Sequence, residues 1–320
     1  MNARDLRPLM TPASSARHGV EALWPLCLAI VRHRRGMAPP PEADTLRPFT
    51  HHPSHGFALD DDAWDEEALE LFALLKPVLD RPPESAAWVI GQLGQSLDGC
   101  IATRGGDSNF VNGPEVLLHL HRLRALCDAV IVGAGTAAID NPQLTTRYVA
   151  GEHPVRVLID PSLRLAPTLR ALSDRQAPTL LVCDAAREDE AARRVGAEQV
   201  LGVPGLMKNA EGPPDLRVLL PALQRRGLRV LFVEGGGITV SRFIAQGCMD
   251  RLHLSVAPVL IGRGRPGLSL PGSAAMRDCA RPPARVFRMG ADVLWDLELR
   301  SSPESHSAIG SSSCPRGSAR

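Results

Sequence analysis

From residue 86 onward, short apolar runs alternate with stretches in which apolar residues recur at helical spacing. The short runs are rich in β-branched residues and predict strands at AWVIGQL (87–93), DAVIVG (128–133), VRVLID (155–160), TLLVCD (179–184), QVLGV (199–203), LRVLFVE (228–234) and DRLHLSVAPVLIG (250–262). The longer stretches predict helices at 113–126, 186–195, 215–226 and 239–247. Such alternation predicts an α/β domain with a mostly parallel sheet.

The segment RVFRMGADVLWDLEL (285–299) closes this domain and predicts a hairpin with Gly290 near its turn. The Ser/Gly/Pro-rich tail, 301–320, predicts disorder. We therefore expect an α/β domain over 86–300, preceded by a partly disordered N-terminal extension over 1–85.

The extension is predicted to be irregular over residues 1–60, with two apolar segments that need separate treatment. LWPLCLAIV (23–31) is too short to cross a bilayer and predicts a local helix or a docking segment. Residues 61–80 predict a helix with an acidic first turn, which suits the positive end of the helix dipole.

Composition excludes several classes of protein. The formal net charge is +1 and aromatic residues make up 4% of the chain, so neither a nucleic-acid surface nor a membrane surface is predicted. The seven cysteines are scattered and odd in number, which indicates reduced thiols in a cytoplasmic protein. His51, His52 and His55 have no carboxylate or cysteine at ligand spacing, so they predict a flexible loop and no metal site.

The stretch VIVGAGTAAIDNPQLTTR (130–147) has the outline of a dinucleotide-binding fingerprint, Gly133-x-Gly135-x-x-Ala138. A Rossmann turn opens a helix of about ten residues or more. Pro142 follows too soon, since proline restricts the residue before it and lacks an N–H donor. We therefore expect hardly more than one helical turn here, followed by a polar loop that contacts a ligand at the carboxyl end of a strand.

A second glycine turn has a more suitable context for a phosphate. A buried-type strand ends in Glu234, three glycines follow, and a helix begins whose apolar positions recur at helical spacing. Free N–H groups at that helix start, with no Cβ in the way, would let a diphosphate approach. The same glycines would also serve a turn that is only tightly packed, and the spacing alone leaves both interpretations open.

Six motifs in a fixed order resemble the reductase half of the bifunctional riboflavin-biosynthesis deaminase–reductase. They are QSLDG (95–99), DSNFVNG (107–113), LHRLRALCDAVIVGAGTAAIDNPQLTTR (120–147), VRVLIDPSLRL (155–165), FVEGGG (232–237) and MDRLHLSVAPVLIGRGRP (249–266). The resemblance covers about 86–300 and excludes the deaminase half, because no H-x-E followed by P-C-x-x-C occurs in this sequence.

The resemblance implies a dihydrofolate-reductase-like, three-layer α/β/α fold with a closing antiparallel hairpin. It implies NADPH as cofactor and a phosphorylated ribosylaminopyrimidine, or a related heterocycle, as substrate, with hydride added to the first carbon of the opened sugar. It also implies a homodimer, for whose interface strand 250–262 is a candidate. A separate deaminase is a possible partner.

Residue by residue, the resemblance assigns five positions to the substrate: Ser108, Arg124, Leu144, Arg147 and Glu234. The cofactor positions are Gly94, Gln95, Phe110, Thr136, Asp140, Ser162, Arg164, Gly235, Gly236, Gly237, Ile238, Thr239 and Val240. Glu234 and Asp98 are the catalytic candidates, with Asp98 expected mainly to shape the turn beside the nicotinamide. Asp160 is expected at the adenosine ribose, and Ser162 with Arg164 at the 2′-phosphate.

Three departures from the family pattern fall in the ligand loops. The usual lysine four residues before the SLDG serine is Gln92, the usual tryptophan is Phe110, and the second acid of Asp-Asp-Pro is Asn141. These changes favour a related but different substrate or a slow enzyme. Two alternatives stay open: a pterin- or dihydrofolate-type reductase, and a catalytically weak nucleotide-binding module that docks a partner enzyme through residues 1–85.

Overall fold

A computed structural model of the chain describes residues 17–39, 49–52, 56–108, 111–209 and 212–300. The tail predicted to be disordered, 301–320, lies outside the described residues, as do His55 and the cofactor candidate Phe110. The chain divides into two compact units, Met1–Asp80 and Arg81–Arg320.

The first unit contains α1 (Val20–Arg34), β1 (Phe49–His52), β2 (Gly56–Leu59) and α2 (Glu66–Leu79). Asp65 caps α2 by accepting from the backbone N–H of Ala68 at 2.8 Å. Helices α1 and α2 confirm the helices predicted at 23–31 and 61–80. The prediction of irregular chain over 1–60 is wrong for the β1–β2 hairpin, where His51 and His52 belong to β1. Among the described residues, no helix has both the length and the apolar character to cross a bilayer.

The second unit is built on a large sheet. Its strands are β3 (Trp88–Ser96), β4 (Cys100–Ala102), β5 (Ala129–Gly133), β6 (Val155–Ile159), β7 (Thr179–Asp184), β8 (Val200–Val203), β9 (Val230–Glu234), β10 (Arg251–Ala257), β11 (Arg265–Pro266), β12 (Ala284–Met289) and β13 (Asp292–Glu298). Its helices are α3 (Pro114–Leu126), α4 (Ala134–Asp140), α5 (Arg170–Ser173), α6 (Glu188–Val195), α7 (Leu216–Arg225) and α8 (Gly237–Ala245).

Nine strands form one sheet in the order β12-β13-β10-β3-β9-β5-β6-β7-β8. The strands from β10 to β8 are mutually parallel, and β13 and β12 add an antiparallel edge. The predicted α/β class, the mostly parallel sheet and the closing hairpin are confirmed. Strands β4 and β11 pair separately.

Helices cover both faces of the sheet, as side-chain alternation along β10 demonstrates. Leu252 belongs to the apolar cluster that includes buried residues of α7 and α8. His253, the next residue, points to the opposite face, where its Nδ1 lies 2.9 Å from Nε2 of His119 on α3. The three-layer arrangement is therefore confirmed.

Two elements differ in length from their predictions. Strand β10 ends at Ala257, not at 262, because Pro258 has no N–H to continue a ladder. Helix α4 runs for seven residues, somewhat longer than predicted, and then stops at Asn141, whose φ of 40° is left-handed. The predicted stop before Pro142 is confirmed, and the long Rossmann helix is absent from this position.

Candidate functional site

A cleft of about 1210 Å³ opens at the carboxyl ends of the central parallel strands. Residues following β3, β5, β6 and β9 all contribute to its wall. Open α/β sheets bind ligands at this edge, because the loops after parallel strands meet there. The cleft contains most of the positions that the family resemblance singled out: Gly94, Ser108, Thr136, Asp140, Leu144, Ser162, Arg164, Glu234, Gly235, Gly236, Gly237, Ile238 and Thr239.

The turn between β9 and α8, Gly235–Gly237, forms one wall and is called the glycine turn. Gly235 and Gly236 have φ values of 71° and 70°, which favour glycine. The N–H groups of Gly236, Gly237 and Ile238 donate to no acceptor within the described ranges. A Cβ on Gly236 would collide with the hydroxyl of Thr136. This open row of donors fits a diphosphate.

Glu234, the last residue of β9, forms a two-pronged ion pair with Arg124 of α3. Arg124 donates from Nε to Glu234 Oε2 at 2.7 Å and from Nη2 to Oε1 at 2.5 Å. Its Nη1 donates to the carbonyl of Thr145 at 2.8 Å. All three nitrogens of Arg124 are thus engaged, and the residue is only 5% exposed and outside the cleft lining. This geometry contradicts the expectation that Arg124 binds the substrate phosphate.

Gln92 of β3 faces the same cleft and is paired with Glu234 across the parallel ladder. The residue is 4% exposed, and its Oε1 is buried with no hydrogen-bond partner within the described ranges. A buried amide oxygen without a partner is costly. The side chain is therefore ready to accept a hydrogen bond from a ligand.

The loop after α4 reaches the site through Leu144, which lines the cleft with an unusual positive φ of 57°. Arg147 lies further along this loop, exposed and outside the lining, where its Nη1 donates to Thr145 Oγ1 at 3.0 Å. Its backbone N–H donates to Nδ1 of buried His121 at 2.9 Å. Burial, followed by the nearby Arg124 and Arg147 charges, lowers the pKa of His121 to about 4, so this acceptor stays neutral.

The loop after β6 carries the residues expected near the adenosine end of the cofactor. Ser162 and Arg164 line the cleft. The expectation for Asp160 is wrong, because its side chain is fully buried and cannot reach a ribose. Its Oδ2 accepts from the N–H of Leu165 at 2.7 Å, so Asp160 shapes the loop that presents its two neighbours.

Two other predicted cofactor residues lie outside the cleft wall. The side chain of Val240 is fully buried in the core, and its N–H donates to Gly236 at 3.1 Å, so it has no group for a cofactor. Gln95 is not among the lining residues either.

The carboxylate of Asp98 accepts from the N–H groups of Ile261 at 3.2 Å and Gly262 at 2.6 Å. The Ser96 hydroxyl also donates to it, and these hydrogen bonds lower the pKa of Asp98 to about 2. This geometry pins a loop and contradicts a catalytic role.

Sequence reasoning missed part of the wall. Arg242 of α8, Arg265 of β11, Ser269 and the segment around Met207 and Pro214 also line the cleft. The run Gly-Arg-Gly-Arg-Pro-Gly at 262–267 was a usable signal, since glycines beside arginines are common where anions bind. The family resemblance uses this segment only as part of a motif and assigns no ligand role to its arginines. Within the described ranges, no group of His, Cys, Asp or Glu could hold a metal ion.

Residues 87–292 match the family model described as RibD C-terminal domain. The chain is 32% identical over 220 residues to the 2,5-diamino-6-ribosylamino-4(3H)-pyrimidinone 5′-phosphate reductase of Methanothermobacter thermautotrophicus, covering 67% of this chain and 98% of that protein. It is also 32% identical over 216 residues to the riboflavin biosynthesis protein RibD of Aquifex aeolicus, covering 65% of this chain and 56% of RibD. The chain thus spans about half the length of that relative.

Two solved structures share the fold. The deaminase/reductase of Thermotoga maritima superposes with a TM-score of 0.55 at 23% identity, covering 73% of this chain and 60% of that one. The riboflavin biosynthesis reductase Rib7 of Saccharomyces cerevisiae gives 0.55 at 19% identity, covering 72% and 99%. With the family model spanning most of the second unit, the chain belongs to the RibD C-terminal domain family.

Proposed function

We propose that this chain is an NADPH-dependent reductase of a ribosylaminopyrimidine phosphate. The observation that carries the proposal is the continuity of the cleft: one cavity joins the glycine turn to Gln92 and Glu234 at the ends of β3 and β9. A dinucleotide with its diphosphate on the turn would extend toward these polar side chains. The names of the relatives support reduction of such a substrate.

The bound cofactor would supply hydride to the first carbon of the opened ribose. The chain would supply alignment and polarity. Gly236 and Gly237 would hold the diphosphate, with the hydroxyls of Thr136 and Thr239 beside it. Glu234, fixed by Arg124, would hold the substrate at the reacting carbon, and Gln92 would accept a hydrogen bond from its heterocycle.

The side chains of the loop after β6 support NADPH over NADH as the cofactor. Arg164 is 73% exposed at the side chain, and its Nε lies 3.9 Å from Asp160 Oδ1, so the guanidinium is only loosely held. We propose that Arg164 and Ser162 meet the 2′-phosphate. A clear NADPH preference in the wild-type protein that disappears in Arg164→Ala would support this assignment, and an unchanged preference would overturn it.

Other expectations remain proposals that accompany this function. Ser108 lines the cleft and would contact the substrate. Arg147 would reach the substrate phosphate from the rim. A homodimer, a cytoplasmic location, a separate deaminase partner and the domain limits 1–85, 86–300 and 301–320 also stay predictions.

The direct test is NADPH oxidation by the purified chain, with the product identified by mass. The two substrates are the 2,5-diamino-pyrimidinone compound and its 5-aminouracil counterpart, each as the ribosylamino 5′-phosphate. Gain of two hydrogens on either substrate is the expected result. Glu234→Gln is the matched variant and should lose turnover while still binding NADPH. Tight NADPH binding with oxidation of neither compound would contradict the proposed substrate class.

A further inference from the structure

The cleft wall contains an arginine to which no role has been assigned. Arg265 lies on β11, lines the cleft and is exposed. Among the described residues its guanidinium forms no direct hydrogen bond or ion pair, and its charge acts on the Asp140 carboxylate only at longer range. A cation that no carboxylate contacts directly, placed at a ligand cleft, is available to an anion.

The backbone that carries Arg265 is firmly held. Arg265 pairs with Ala102 of β4, and the N–H of Gly267 donates to the carbonyl of Gly99 at 2.8 Å. On the neighbouring turn, Asp98 accepts from two successive N–H groups of the loop that leads into β11. The guanidinium also packs against Gly106, where an added Cβ would lie 2.7 Å from Nη2. The backbone around Arg265 is therefore held in place, which positions the charge of its guanidinium.

The same loop touches the glycine turn. A Cβ on Gly237 would lie 2.9 Å from the carbonyl oxygen of Pro266 and would overlap that of Gly267. Arg265 thus directly precedes the two residues that pack on the start of α8. Because Arg265 lines the same cleft, a diphosphate held by the free N–H groups of the turn would lie within the field of this guanidinium.

The charges in the cleft give this cation a specific role. A diphosphate carries about two negative charges, whereas the glycine turn offers only neutral N–H dipoles. Asp140 lines the same cleft and adds a negative charge. Desolvation raises the pKa of Asp140, and the positive charge of Arg265 opposes that rise. The two side chains therefore interact electrostatically.

We propose that Arg265 binds the diphosphate of the nicotinamide dinucleotide and offsets its repulsion from Asp140. The inference rests on the proposed function for the identity of the dinucleotide. It gives two arginines different roles. Arg265 binds the diphosphate, which NADPH and NADH share, whereas Arg164 binds the 2′-phosphate, which only NADPH carries.

The test measures dissociation constants of the full chain for NADPH and NADH by quenching of protein fluorescence, without substrate. Arg265→Ala should weaken both by about tenfold or more, in line with the loss of one charge-assisted hydrogen bond, and leave their ratio unchanged. Arg265→Lys should recover part of the loss. Arg263→Ala is the matched control, because Arg263 is exposed on the same loop but outside the cleft lining.

Reduced nicotinamide mononucleotide, which has no diphosphate, supplies a second readout, and Arg265→Ala should not change its affinity. Equal constants for Arg265→Ala and Arg263→Ala would overturn the inference and leave the proposed function intact. A loss confined to NADPH would also overturn it, because the charge would then serve the 2′-phosphate. Failure of the wild-type chain to bind either dinucleotide would overturn both.

Discussion

Two adjoining regions of the cleft differ in the groups that they present to a ligand. The glycine turn presents backbone N–H groups, and its residues matter because they lack side chains. The adjoining region, which we call the carboxylate wall, consists of Gln92 and Glu234 with Arg124 behind Glu234. These side chains are largely buried, and Arg124 and Glu234 hold each other. An added atom should therefore damage the first region, and a removed polar group should damage the second.

The largest effect is expected at the glycine turn. The Cβ of Gly237→Ala would overlap a backbone oxygen of Gly267, so one of the two segments must move. Overpacking of this kind costs about 3 kcal/mol of stability. Because the displaced turn no longer presents its N–H groups in the same geometry, we expect NADPH affinity to fall by about 100-fold. Gly135→Ala is the control, since it also lines the cleft but has nothing within 4 Å of its Cβ position. Equal binding by the two variants would refute the role given to the turn.

At the carboxylate wall, Arg124→Met should lower the free energy of unfolding by about 3 kcal/mol, because it leaves Glu234 without its partner. NADPH affinity should change little, since the glycine turn is untouched. The double variant Arg124→Met/Glu234→Leu should recover most of the stability but no turnover. Denaturant unfolding and NADPH titration check these outcomes. A matching loss of cofactor affinity would mean that the two regions are not independent.

A buried histidine pair between β10 and α3, the helix that carries Arg124, makes the stability of the fold sensitive to acid. His119 and His253 are fully buried, and burial lowers the pKa of both. Asp296 opposes this decrease for both rings, whereas nearby arginines reinforce it. The unfolded histidines titrate near pH 6.5. Below that pH the unfolded chain binds more protons than the folded one, so stability should fall as pH decreases and level off above about pH 7.

The expected slope below pH 6.5 is about 1.4 kcal/mol per pH unit for each buried histidine. Denaturant unfolding between pH 5 and pH 8 measures it. His119→Leu should reduce the slope, whereas His51→Leu should not, because His51 is exposed on β1. Identical slopes in the two variants would mean that the buried pair does not set the acid sensitivity.

A smaller effect is expected at Gln92, where one substitution should raise stability and weaken substrate binding together. Gln92→Leu removes an amide oxygen that is buried without a partner among the described residues, so the free energy of unfolding should rise by about 1 kcal/mol. Substrate KM should rise at the same time, by roughly fivefold, because the substrate loses an acceptor. NADPH affinity serves as the internal reference and should not change. A variant that is less stable than the wild type would show that Oε1 has a structural partner.

Sequence reasoning predicted the glycine turn far better than the carboxylate wall, for a physical reason. The glycines follow a strand and precede a helix within one short segment, so local pattern is sufficient. Arg124 and Glu234 are 110 positions apart. A helical arginine among leucines and a glutamate at a strand end give no local sign that they pair. The substrate role expected for Arg124 failed for this reason.

The other differences between prediction and structure concern the burial of one side chain and the end of one strand. Asp160 has the spacing of a ribose-binding acid, but only the fold shows that its carboxylate faces inward to Leu165. Arg265 was left out of the predicted site because the segment before it was assigned to a long strand, although Pro258 marked the end of that strand. The α/β class and the closing hairpin were predictable, because periodicity and turn residues act over short distances.

The pairing of β3 has a consequence for how the chain folds as it is made. This strand lies in the middle of the large sheet, yet both of its neighbours, β9 and β10, are synthesised more than a hundred residues later. The carboxylate wall therefore cannot form until translation has passed Glu234, and the packing of Gly267 on the glycine turn comes later still. Until then β3 has neither of its neighbouring strands, β9 and β10, and its apolar side chains are exposed. Chaperones shield nascent chains that expose apolar segments in this way.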